Sequence, residues 1–183
     1  MTERASKNAD GVESAAERAK QIHYRDARVN GDYDGIWQNV GKCVFCDLRD
    51  KYVVYEENGV ALTVPLYAYI DGQLLIVPRR HIRSVKEMTG AEWNTVRKLI
   101  YLAKKMIRDV HHIKGMQLVQ KTGASAQSTV EHLHFHCIPF DAPDLCQWNY
   151  RRLKNTPLEN AELYRAGSAK IQKLSKRFEE KYD

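Results

Sequence analysis

No run in the 183-residue chain approaches the ~20 consecutive apolar residues that cross a bilayer as a helix. Its first twenty residues, Met1 to Lys20, also lack the apolar core of a secretory leader. These absences lead to the expectation of a soluble, cytoplasmic protein with no membrane partner. Internal repeats and low-complexity runs are missing as well, which excludes a repeat array. Cysteine is scarce, with four residues, and in a cytoplasmic chain such cysteines serve more often as metal ligands or small buried residues than as disulfides. Strong charge of one sign is also lacking. Lys and Arg number 29 against 23 Asp and Glu, a net +6 far below the density of a dedicated nucleic-acid-binding domain.

The charge that is present is uneven. Residues 1–40 carry six basic and seven acidic side chains, residues 41–144 fourteen and eleven, and residues 145–183 nine and five. With 43% hydrophobic residues, the length fits one domain with extensions. The reading is an N-terminal arm and linker over 1–40, a central domain over 41–144 and a basic, largely helical extension over 145–183. The arm, poor in apolar residues, is expected to be mobile or loosely helical, ending in the turn-rich stretch Asn30 to Gly35. The basic extension leaves nucleic acid as a candidate partner.

Between these ends the pattern is that of a sheet with one inserted helix. Val53–Glu56 and Val60–Val64 flank Asn58-Gly59, a pair that supplies the positive φ angles of a tight hairpin. A third strand, Gln73–Val77, stops at Pro78, which has no amide hydrogen for a ladder. Thr89 and Glu92 form a capping box, after which Trp93, Val96, Ile100, Ala103 and Ile107 recur at helical spacing, predicting a helix over about Gly90 to Val110. Strands over Met116–Gln120 and Val130–Ile138 follow, and Pro157–Lys181 reads as helix. The expected fold class is α+β: an antiparallel sheet of about five strands, one long inserted helix and terminal helices.

The densest chemistry lies in His132-Leu133-His134-Phe135-His136. On a strand the three imidazoles share one face at roughly 6.5–7 Å spacing, while Leu133, Phe135 and Cys137 point inward. Such a face ligates a metal, attacks phosphorus or moves protons. The second feature is Cys43-Val44-Phe45-Cys46, whose two-residue spacing lets two thiolates hold one zinc ion. Zinc needs two further ligands. His81 and His132 are candidates, with Cys137 and Cys146 as rivals; Cys137 is more simply a buried small residue, and Cys146 stays open. His23, His111 and His112 carry no functional assignment; the last two stand at the end of the long helix, where a partial positive charge suits its dipole. Arg79, Arg80, Arg151, Arg152 and Lys154 are candidate phosphate contacts.

Taken in order, the Cys-x-x-Cys pair, the stretch Gln73–His81, the helix, the small-residue loop Thr122–Ser128 with Gln127 and Ser128, and the triad closed by Pro139 resemble the histidine-triad (HIT) superfamily over about residues 41–140. Its zinc-containing diadenosine polyphosphate hydrolase and phosphorylase members are the nearest in style. The resemblance implies the HIT-like fold, a homodimer, a nucleotide substrate and action at the α-phosphate. It implies that His134 attacks phosphorus to form a covalent nucleotidyl intermediate and that His136, Gln127 and Ser128 serve the phosphate or the leaving group. It also implies a structural zinc held by Cys43, Cys46, His81 and His132.

Three residues depart from the family pattern. Gln73 stands where many members have a fourth site histidine, Pro65 near a ribose-binding polar residue, and Gln120 where an asparagine is usual. Gln73 and Gln120 are taken as substrate-binding candidates. The departures keep an alternative in view, a zinc-stabilised nucleotide- or nucleic-acid-binding module with weak or no catalysis. A narrower option is repair of adenylated nucleic-acid ends.

Overall fold

The structure is a computed structural model that describes residues 14–32, 42–123, 129–141 and 154–182. Helix α1 (Ala15–Asp26) precedes strands β1 (Val53–Glu57), β2 (Val60–Thr63) and β3 (Leu74–Pro78). Helix α2 (Gly90–His111), strands β4 (Met116–Val119) and β5 (Phe135–Pro139), and helices α3 (Pro157–Ala166) and α4 (Ser168–Tyr182) complete the order. The five strands form one antiparallel sheet, β1-β2-β3-β5-β4. The expected α+β architecture is therefore present.

The β1–β2 hairpin turns at Asn58 and Gly59, with φ of 48° and 70°. The Asn58 amide donates to Thr95 Oγ1 at 3.0 Å, which ties the turn to α2. Helix α2 begins at the capping box of Thr89 and Glu92 and stops at His112, in the left-handed region at φ 60°. Its buried stripe is Val96, Leu99, Ala103 and Ile107. Trp93, expected in that stripe, is half exposed, because the stripe turns toward Leu99 and leaves the first-turn tryptophan on its flank, its ring 6.2 Å from Phe135.

The period-two alternation of the strands divides the sheet into two working faces. Val60, Leu62, Leu74, Ile76, Leu133, Phe135 and Cys137 pack with the α2 stripe into one apolar core. The intervening Thr63, Gln73, Leu75, His134 and His136 line a cavity on the opposite face. Residues of the segments 42–52 and 64–69 and of the α1 region wall that cavity, so β2 and β3 are buried on both sides.

Three expectations need correction. The arm is not loose between 14 and 32: Ala27 is fully buried, Gln21 donates to the Tyr52 hydroxyl at 2.8 Å, Lys51 pairs with Glu17, and the Arg28 guanidinium donates to the Tyr67 carbonyl at 2.9 Å. Polar and cation–ring contacts dock it, and hydrophobic periodicity does not register these. Strand β5 starts at Phe135 and not Val130, because the preceding residues run beside residues 78–82, where Leu133 N–H donates to the Ile82 carbonyl at 2.7 Å. The C-terminal helix is two helices, broken at Gly167, and Leu163, Ile171, Leu174 and Phe178 on it are exposed.

Candidate functional site

Each histidine of the triad has one ring nitrogen committed by its surroundings, and those commitments set the chemistry. The Pro78 carbonyl lies 2.8 Å from Nε2 of His132. A carbonyl only accepts, so Nε2 carries the proton and Nδ1 keeps its lone pair. That lone pair faces the thiols of Cys43 at 3.4 Å and Cys46 at 3.6 Å. Nδ1 of His134 donates to the His132 carbonyl at 2.8 Å, which leaves the Nε2 lone pair for the cavity. His136 is held the opposite way. The Tyr69 amide donates to Gln73 Oε1 at 2.6 Å, which orients the side-chain amide so that its nitrogen lies 3.0 Å from His136 Nδ1. That nitrogen only donates, so Nδ1 of His136 accepts and Nε2 bears the hydrogen.

All three rings line the same cavity, of about 650 Å³. Their spacing is not the strand repeat expected from the sequence: the His134 and His136 rings lean to 4.8 Å between centroids. His132 lies before the strand and turns toward His81, 4.9 Å away. Phe45 packs on His134 at 4.7 Å and on His132 at 5.9 Å, while Tyr69 lies 5.5 Å from His136.

Burial holds the triad neutral. It depresses His132 and His134 below the usual histidine range, against the carbonyl hydrogen bonds that favour their charged forms. His136 is pushed down to about 3, first by burial and then by His134, Lys121 and Arg28. A neutral His134 with a bare Nε2 is a nucleophile, and a neutral His136 with Nε2–H is a hydrogen-bond donor.

Cys43, Cys46, His81 and His132 form a cluster whose ligand atoms lie within 4.8 Å of one another. Cys46 Sγ is 3.2 Å from His81 Nδ1. A tetrahedral zinc with bonds of about 2.3 Å to sulfur and about 2.0–2.1 Å to nitrogen sets sulfur and nitrogen roughly 3.5 Å apart, and the observed sulfur–nitrogen separations of 3.2–3.6 Å fit it. Desolvation, followed by the neighbouring Cys43 thiol, raises Cys46 above the usual thiol range, a state that a divalent cation relieves. These four residues can hold a metal ion. Cys137 is fully buried in the core, away from this cluster, as its place on the strand predicts.

The remaining candidates divide. Gln73 is buried in the site but bonded to Tyr69 and His136. Gln120 is exposed, donates to the Lys121 carbonyl and accepts from Thr122, and is not among the cavity-lining residues. Pro65 does line the cavity. Gln127, Ser128, Cys146, Arg151 and Arg152 lie outside the described residues. Arg79 is engaged by Glu56 and Asp50, and Arg80 by Glu92, so both brace the fold. Sequence reasoning passed over Tyr24, Arg28, Phe45, Tyr69 and Lys121, all of which line the cavity. Only Phe45 carried a signal, as the apolar residue inside the Cys-x-x-Cys pair.

The HIT domain family model matches residues 48–142, and the chain belongs to that family. Among curated relatives, the AP-4-A phosphorylase of Mycobacterium tuberculosis is 32% identical over 92 residues, covering 50% of this chain and 47% of the relative. The chain thus spans about half the length of that enzyme. The asymmetrical bis(5'-nucleosyl)-tetraphosphatase of Schizosaccharomyces pombe is 25% identical over 118 residues, 63% of this chain and 65% of the relative. Among solved structures, a HIT family protein of Bacillus anthracis superposes with a TM-score of 0.61 at 22% identity, covering 72% of this chain and 97% of that one, a likeness of fold.

Proposed function

We propose that this protein is a nucleotidyl hydrolase or transferase acting on dinucleoside polyphosphates or related nucleotide conjugates through a covalent nucleotidyl-His134 intermediate. The observation that carries this reading is the pair of opposite tautomers in one cavity, a bare Nε2 on His134 beside an Nε2–H on His136. The first is built to attack and the second to donate. His134 Nε2 forms a bond to the α-phosphorus as the bond to the leaving-group oxygen or nitrogen breaks. His136 Nε2–H stabilises the departing charge, with Gln127 and Ser128 as further donors to the phosphate. Water or orthophosphate then displaces the histidine and returns it to its starting state. The relatives named AP-4-A phosphorylase and bis(5'-nucleosyl)-tetraphosphatase support this substrate class.

Cys43, Cys46, His81 and His132 would hold a structural zinc ion, which with four protein ligands leaves no open position for water. Its contribution is to pin residues 43–46 and 81 to the segment that carries the triad. The catalytic unit on this reading is residues 41–144, working as a homodimer in the cytoplasm, with 1–40 and 145–183 as extensions.

The test is turnover of diadenosine tetraphosphate with and without orthophosphate, beside mass spectrometry of the stopped reaction. A nucleotidyl adduct on His134, and loss of about a thousandfold or more of the rate in His134→Ala, are expected. Equal activity in that variant overturns the covalent mechanism. Pro65 at the cavity wall favours a second reading, a binding module; saturable nucleotide binding with no turnover across a panel would establish it.

A further inference from the structure

The metal cluster and the ring of His134 share one short segment. Cys43 stands just before a turn over residues 44–47, and Cys46 lies within it. Residues three apart around such a turn have Cα atoms closer than about 7 Å, and a disulfide spans about 4.4–6.8 Å. The ligand atoms of the whole cluster lie within 4.8 Å of one another, so the two sulfurs need only side-chain rotation to meet. Cys46 is exposed and Cys43 half-buried, whereas Cys137 is sealed in the core. Phe45, between the two cysteines, packs on His134 at 4.7 Å and on His132 at 5.9 Å. Cys43 Sγ also faces His132 Nδ1 at 3.4 Å, and the His132 carbonyl holds His134 Nδ1 at 2.8 Å. The state of the two sulfurs therefore reaches His134 by two routes, through Phe45 and through His132.

Metal ligation requires both sulfurs as thiolates, and the thiolate is the form that a hydroperoxide oxidises. The exposed Cys46 sulfur attacks one oxygen of hydrogen peroxide: an S–O bond forms, the O–O bond breaks, and the departing hydroxide takes a proton to become water. The Cys43 thiolate then attacks the Cys46 sulfenic acid. The S–S bond forms, the S–O bond breaks, and the second hydroxide takes a proton and leaves as water. Each sulfur gives up one electron and the peroxide accepts both, so two thiolates, one hydrogen peroxide and two protons become one disulfide and two waters. Only His81 and His132 then remain of the four ligands, too few to hold a tetrahedral metal ion. A thiol reductant reverses the bridge by exchange.

We propose that Cys43 and Cys46 form a reversible oxidation site for hydroperoxides, closing to a disulfide that empties the metal cluster and moves Phe45 away from His134. The effect on turnover rests on the nucleotidyl-transfer reading, and the oxidation itself on the geometry of the cluster. A cluster that served only as a clamp would have no need of an exposed sulfur, nor of an aromatic ring set between its cysteines and against the triad. Here the same turn carries the oxidisable pair and a wall of the cavity.

The test uses the full chain loaded with zinc sulfate and then exposed to hydrogen peroxide. A chromophoric chelator and a thiol reagent should show about one zinc released as about two thiols disappear. Peptide mass spectrometry without reduction should find the Cys43–Cys46 bridge, and dithiothreitol with fresh zinc should restore the starting protein. The imidazole resonances of His134 should move on oxidation, while those of His112, which is not among the cavity-lining residues, stay in place. Turnover of diadenosine tetraphosphate should fall about tenfold or more in the bridged form, as for a displaced reacting group. Cys43→Ser should form no bridge and leave Cys46 to oxidise alone; where that variant fails to fold, the peptide map of the natural chain decides. A bridge to Cys137 or Cys146, a sulfinic acid in place of a bridge, failure to take up zinc, or unmoved His134 resonances in the bridged protein would overturn the proposal. If the natural chain turns over no nucleotide but bridges and shifts His134, the oxidation site stands and the covalent mechanism falls. If it turns over diadenosine tetraphosphate and peroxide leaves the pair unbridged, the mechanism stands and the oxidation site falls.

Discussion

The side-chain amide of Gln73 donates to Nδ1 of His136 across 3.0 Å, while its own oxygen accepts from the Tyr69 backbone. Both atoms of a buried amide are therefore used, and together they decide which nitrogen of His136 shows a hydrogen to the cavity. A residue that looks like a lost histidine thus performs a donor's task by other means.

Gln73→Leu removes that donor and keeps the bulk. We expect kcat to fall about 10–100-fold with KM little changed, since the loss lies in transition-state donation. Nitrogen-15 correlation spectra of the imidazoles should report a change in the His136 tautomer. Gln73→His, which can also donate to Nδ1, should recover most of the rate. An unchanged tautomer in Gln73→Leu would refute the positioning role.

The protein as purified should carry about one equivalent of zinc. Cys43→Ser, or prolonged chelation, should remove it and lower the melting temperature by about 5 °C or more. Metal analysis beside thermal melting checks this. Less than about half an equivalent, with unchanged melting in the variant, would remove zinc from the account.

Stability should fall as the solution is made acidic, in two overlapping windows. Folded His136 takes its proton near pH 3, against an ordinary value near 6.5, so below pH 6.5 the unfolded chain binds a proton that the folded one resists. The folded-to-unfolded ratio from this group then drops up to about tenfold per pH unit until about pH 3. Glu92 is held down to about 2, first by its hydrogen bonds with Arg80, so its contribution is present above about 4.5 and lost as pH falls toward 2. Urea midpoints measured from pH 7.5 to 3 should decline throughout. Glu92→Gln should flatten only the part below about 4.5.

Gly115→Ala should destabilise the fold by about 2 kcal/mol or more. A Cβ there would lie 2.0 Å from the Phe140 carbonyl oxygen, and Phe140 N–H already donates to the Gly115 carbonyl at 3.0 Å. The two backbones meet beside the β4–β5 pair, so neither can yield cheaply. Gly90→Ala, with open space around its Cβ position, is the control and should cost little. Denaturant midpoints of the two variants test the contrast.

The sheet was legible because its determinants are local. The Asn58-Gly59 turn, the alternation through Leu133, Phe135 and Cys137, and the Thr89–Glu92 box each act within a few residues, and all appear where the pattern put them. The metal cluster was legible through spacing plus family resemblance. The arm was not, because Arg28 docks through a carbonyl and a ring about 40 residues away, and such contacts leave no periodicity. Strand β5 was overextended because the sequence alternates through His132, whereas the backbone there follows residues 78–82.

His134 and His136 differ in what holds their rings. His134 leans on the carbonyl of His132, an atom of the main chain that every amino acid at position 132 would supply. His136 depends on a side chain at position 73, which a single codon change can rewrite. Inheritance therefore acts unevenly on the pair: the ring of His134 is shielded from drift, and the ring of His136 is open to it. Position 73, where this chain departs from the family pattern, is where such freedom exists.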